Sequence, residues 1–104
     1  MQERRAAKRV RANINVRWET LRNQGRGSVC DLSSSGCFVL AGGEVTPPEL
    51  ARLELALPDQ VMIFWGNVVY TISEMGFAVR FVLGSEADEE TLERIIETAS
   101  QTAV

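Results

Sequence analysis

The chain contains no histidine. That absence removes the usual Ser-His-Asp and Cys-His nucleophile arrangements and the commonest metal ligand. Its two cysteines, Cys30 and Cys37, do not make a structural zinc site unaided. No phosphate loop or dinucleotide fingerprint is present; Gly25-Arg26-Gly27 lacks the rest of such a pattern and the helix that should follow it. With no recognisable constellation for catalysis, the expectation is a protein that is not an enzyme, with no catalytic residue, no metal site and no cofactor. No apolar run reaches membrane-spanning length and no secretory core follows the basic start, so a cytoplasmic location without membrane insertion is expected. Two reduced, buried thiols fit that compartment, although Cys30 and Cys37 flank a turn and could face each other across a hairpin.

Lysine is nearly missing as well. Ten of the eleven basic residues are arginine. Arginine offers a planar fork for phosphate and for base edges, and it stacks on π faces. The net charge of −3 conceals an asymmetry. Residues 1–26 carry eight basic residues against two acidic ones, a net +6; residues 27–104 carry three against twelve, a net −9. A cationic arm on an acidic body makes a local anion site rather than a general surface for polyanions.

At 104 residues the chain is one domain with a single modest core. Residues 1–12 have no clear periodicity, and their dense like charges predict a flexible basic arm. Residues 13–84 read as strands. Asn13 to Thr20 alternates, with Ile14, Val16 and Trp18 on one side. Asn23 to Gly27 reads as a turn, Ser28 to Asp31 as a short strand, and Cys37 to Leu40 as the next. Pro47-Pro48 holds a loop, and Ala51 to Leu57 alternates cleanly. Val61 to Ile72 is the longest apolar run, either one strand with a bulge at Gly66 or two strands. Ser73 to Gly76 turns the chain into a last strand around Phe77, Val79 and Phe81. From residue 85 to 100 the period becomes helical: Leu92, Ile95, Ile96 and Ala99 share a face, Ser85 is the N-cap, and the acids that follow suit the positive end of the helix dipole. The pattern predicts a mainly β fold, a six-stranded antiparallel β-barrel with a C-terminal amphipathic helix packed on it.

Two short patterns stand out on this frame. One is Arg5-Ala6-Ala7-Lys8-Arg9, preceded by Arg4. The other is Asp31-Leu32-Ser33-Ser34-Ser35-Gly36 between two strands. On its own the second is a turn: Asp and Ser fold back on backbone N–H groups, and Gly accepts a positive φ. In this order and at this separation, on six strands and a helix, the chain resembles the PilZ domain, the bacterial receptor module for cyclic di-GMP. Its signature is Arg-x-x-x-Arg followed by (Asp/Asn)-x-Ser-x-x-Gly. The resemblance spans about residues 3–99, as a stand-alone single-domain member, and Gly66 to Tyr70 and Gly76 to Phe81 are similar to the family's paired late strands. Tyr70 stands where tryptophan is common, a difference expected to touch packing more than ligand binding.

The resemblance implies a cyclic di-GMP site made of Arg4, Arg5, Arg9, Asp31, Ser33 and Gly36. Arg5 and Arg9 would grip phosphate and the O6/N7 edge of guanine. Asp31 would accept from guanine N–H groups, Ser33 would add a hydroxyl contact, and Gly36 would let the ligand approach without a Cβ in the way. Arg4, directly before the motif, goes with an intercalated cyclic di-GMP dimer in this family. Binding is expected to order the arm and to signal in trans to a downstream protein, which the sequence does not identify; homo-oligomerisation is left open. Two alternatives stand beside this. One is a PilZ-type adaptor that binds protein and no nucleotide. The other is a barrel binding single-stranded nucleic acid, which the few aromatic residues, core-facing Trp18, Phe77 and Phe81, and the acidic body oppose.

Overall fold

A computed structural model describes residues 9–102, with side chains described for 9–99. Six strands follow in order: β1 (Val10–Glu19), β2 (Gln24–Leu32), β3 (Gly36–Ala41), β4 (Leu50–Ala56), β5 (Val61–Ile72) and β6 (Gly76–Val82); α1 (Glu86–Thr102) ends the chain. All pair antiparallel and close into a barrel in the order β1-β2-β3-β6-β5-β4. Inward residues of every strand fill the core. Trp18, Val29, Leu53, Leu55, Phe64, Val68 and Phe77 are fully buried there. Trp18 and Phe77 meet edge to face at 5.4 Å, the arrangement that ring quadrupoles favour.

α1 packs across β1 with Leu92, Ile95 and Ile96 buried against the barrel, and Ala99 partly so. Ser85 caps it: its Oγ accepts from the Asp88 N–H at 3.2 Å. The expected fold therefore stands, while several boundaries move. β1 starts at Val10, so Val10, Arg11 and Ala12 belong to the barrel rather than to an arm; Val10 is buried in the core. The first turn is Thr20 to Asn23, not Asn23 to Gly27. Thr20 Oγ1 accepts from the Arg22 and Asn23 N–H groups, and the Thr20 N–H closes the turn onto the Asn23 carbonyl. Gly25 and Gly27 lie inside β2 instead. They are needed for close approach: a Cβ on Gly25 would touch the Trp18 ring at 2.8 Å, and one on Gly27 would stand 2.2 Å from the Leu40 carbonyl oxygen.

β5 is one strand, and its bulge lies at Val69 rather than Gly66: Val68 faces Val79, but Tyr70 faces Ala78. A second bulge sits at Cys30, where Val29 pairs with Val39 and Asp31 with Phe38. Each adds one residue to one strand, which reverses the inside-outside alternation beyond it. Val29 and Leu32 are three residues apart and both buried for that reason.

Candidate functional site

The two bulges set up one groove on the outer wall of the barrel. Regular alternation from buried Val29 would send Asp31 inward, and from buried Val68 would send Tyr70 inward. The extra residues turn both outward. The groove they border holds about 300 Å³ and is lined by Arg9, Asp31, Ser33 and Gly36 from the region of the two motifs and by Phe38, Tyr70 and Arg80 from β3, β5 and β6. Phe38 is buried but lies outside the barrel core; it forms the floor, with the Tyr70 ring 6.3 Å away.

Arg9 closes one end. Its Nη2 donates to Asp31 Oδ2 at 2.5 Å, across twenty-two residues of sequence. That hydrogen bond, followed by the carboxylate's charge, raises the Arg9 pKa further and keeps the guanidinium cationic. Only one carboxylate oxygen is engaged. Asp31 Oδ1 has no donor among the described residues, so it keeps acceptor capacity towards the groove. Arg80 adds a second exposed guanidinium, and the groove as a whole suits an anion with a planar, apolar portion.

The Asp31 to Gly36 turn is built by Ser33. Its Oγ accepts from the Ser35 and Gly36 N–H groups at 3.2 and 3.3 Å, lies 3.0 Å from the Ser35 hydroxyl, and its own N–H donates to the Gly36 carbonyl at 2.8 Å. The residue is buried, so its hydroxyl is committed to the turn. Gly36 does not owe its identity to a positive φ. No glycine among the described residues has a positive φ. A Cβ at Gly36 would instead stand 2.1 Å from the Val79 carbonyl oxygen of the neighbouring strand.

Comparisons with known proteins bear on the family and on the fold. The PilZ domain family model matches residues 3–98. The chain belongs to the PilZ domain family. Among solved structures, the PilZ domain of YcgR from Escherichia coli, determined with c-di-GMP, superposes with a TM-score of 0.82 at 19% identity, covering 97% of this chain and 95% of that one. The PilZ domain of CeSA from a cellulose-synthesizing bacterium matches at 0.72 and 17%, covering 88% and 96%. The Bacillus subtilis inhibitor of motility (MotI/DgrA) matches at 0.72 and 18%, covering 98% of this chain and 54% of that one. No curated protein matches the sequence.

Within this PilZ domain, Arg9, Asp31, Ser33 and Gly36 converge on the groove, whereas Arg4 and Arg5 lie outside the described residues. Sequence reasoning missed Phe38, Tyr70 and Arg80. Tyr70 is no core residue: it is exposed on the groove wall. No sequence signal marked it, because Val68, Val69, Tyr70 and Ile72 leave no alternation to break. Of the thiols, Cys37 is buried and Cys30 only partly so; both are free. Among the described residues no group of His, Cys, Asp or Glu side chains could hold a metal ion, and no helix is long and apolar enough to cross a membrane.

Proposed function

We propose that this PilZ domain is a cytoplasmic receptor for cyclic di-GMP and that the Arg9–Asp31 groove is where the ligand sits. The observation that carries the reading is the meeting of Arg9 with Asp31, which joins the two signature patterns at one opening. A guanine edge pairs with Asp31, whose free oxygen accepts from its N–H groups. Arg9 shifts from the carboxylate to phosphate or to the O6/N7 edge, both bidentate acceptors. Tyr70 and Phe38 offer an apolar wall to the base. Ser33 and Gly36 act by shaping the turn. Arg4 and Arg5 neutralise the phosphates, the basic segment is ordered as they do so, and that change is read by a downstream protein. An intercalated ligand dimer, two ligands per protomer, accommodates the extra arginine.

Isothermal titration with cyclic di-GMP tests this directly, beside Arg5→Ala, Arg9→Ala and Asp31→Ala. Loss of one bidentate contact is expected to weaken binding about tenfold to a hundredfold. The stoichiometry decides between one ligand and two. Absence of heat and of competition at high ligand concentration would replace the receptor reading with that of a protein adaptor.

A further inference from the structure

Outward residues of a closed antiparallel barrel meet water and are normally polar. The first half of β5 departs from this. Val61, Ile63 and Trp65 point outward and are exposed, Trp65 to 46%. The register extends the apolar surface sideways, to Val82 beside Trp65 and to Leu50 on β4. At the tip of the β1–β2 turn Leu21 is fully exposed, and with Leu50 and Trp65 it borders a pocket of about 450 Å³. Together the exposed parts of these side chains come to on the order of 600 Å², the upper end for a monomer and close to the roughly 800 Å² that each partner gives to a stable interface. The nucleotide groove lies further along β5, beyond Val68, and makes no use of this face.

The charges beside the patch say what covers it. Two rows run across the strands: Glu19, Arg52, Trp65 and Val82 in one, Arg17, Glu54 and Ile63 in the next. The signs are opposite at each step from row to row. A two-fold axis lying between the rows and parallel to them sets each row against the other row of a second copy. Glu19 then faces Arg17, Arg52 faces Glu54, and Trp65 faces Ile63. The same operation sets Leu50 against Ala56 and Val61, so that the second copy's Val61 enters the Leu21–Leu50–Trp65 pocket. Such self-complementarity is what an isologous interface requires, and a patch with both signs in balance favours neither an acidic nor a basic stranger.

We infer that the β4–β5 face is a homodimer interface, with Trp65 as its central anchor. The inference is independent of the nucleotide reading, because it is tested on the ligand-free protein. Sedimentation velocity from about 1 to 500 μM should find a species of twice 11.5 kDa in the wild type at tens of micromolar. Trp65→Glu should raise the dissociation constant at least tenfold. Arg17→Glu, which sets two glutamates against each other, should raise it severalfold, and adding Glu19→Arg should restore it. All three positions are exposed, and an unchanged circular-dichroism melt confirms the fold. A wild-type protein that stays monomeric throughout the range, or a dimer indifferent to Trp65→Glu, overturns the proposal.

Discussion

Gly36 and Val79 lie closer than any side chain permits: a Cβ on Gly36 would stand 2.1 Å from the Val79 carbonyl oxygen and 3.2 Å from the Arg80 Cα. The glycine thus serves the β3–β6 seam, where Gly36 pairs with Arg80. Gly36→Ala is expected to destabilise the fold by about 1–3 kcal/mol, the usual range for overpacking a tight site. Urea denaturation measures it. Unchanged stability with lost ligand binding would instead reserve the position for the ligand.

Ser33→Ala removes the acceptor for two backbone N–H groups of the same turn. Stability should fall by about 1 kcal/mol, as for loss of a cap. Affinity for cyclic di-GMP should fall less than about fivefold if the hydroxyl serves only the turn. The reverse, a stable protein that binds poorly, would place the hydroxyl on the ligand.

Burial pushes the Cys37 thiol up to about 12 from an ordinary 9.0, with the nearby Cys30 and Asp31 adding to the shift. The protonated thiol is the form the folded state prefers. Its contribution is fully present below pH 9 and is lost between about pH 9 and 12, where the unfolded chain gives up the proton and the folded chain does not, at roughly 1.4 kcal/mol per unit. Denaturation midpoints measured from pH 8 to 11 should therefore decline less steeply in Cys37→Ala than in the wild type. Parallel slopes would contradict this.

Glu74 has φ 64°, in the left-handed region, at the turn closed by the Met75 N–H on the Ile72 carbonyl. A side chain there costs about 1–2 kcal/mol, and glycine gives back part of the gain as unfolded-state entropy. Glu74→Gly should stabilise by about 0.5–1 kcal/mol, raising the thermal midpoint by roughly 3–5 °C. A lower midpoint would show that the glutamate makes a contact worth more than the backbone gains.

Periodicity alone located most of the barrel. Ile14, Val16 and Trp18, then Leu53 and Leu55, then Phe77, Val79 and Phe81 alternate as inward residues do, and Leu92, Ile95 and Ile96 mark the helix. Bulges were harder to read, because an extra residue such as Cys30 or Val69 carries no signature of its own. Gly66 suggested the bulge in β5, yet a Cβ at that position would meet the Val79 side chain at 2.4 Å, so close packing is what requires it. Half of the groove was legible as short motifs. Tyr70 and Arg80 were not, since only closure of the barrel brings strands forty to fifty residues downstream beside Asp31. The outward apolar half of β5 stayed hidden for another reason: in a run that is apolar on both faces, alternation does not separate core from surface.

Within β1, only Val16–Glu19 pair with β4, so the stretch of β1 before Val16 has β2 on one side and no β4 residue on the other. α1 lies against β1. The helix is therefore more than a weight on the core. It stands beside a stretch of β1 whose backbone N–H and C=O groups, left open, offer a template for strand addition from a neighbouring molecule. A chain cut before Ser85 would carry an open, sticky edge, and its failure would show as edge-to-edge aggregation rather than simple unfolding.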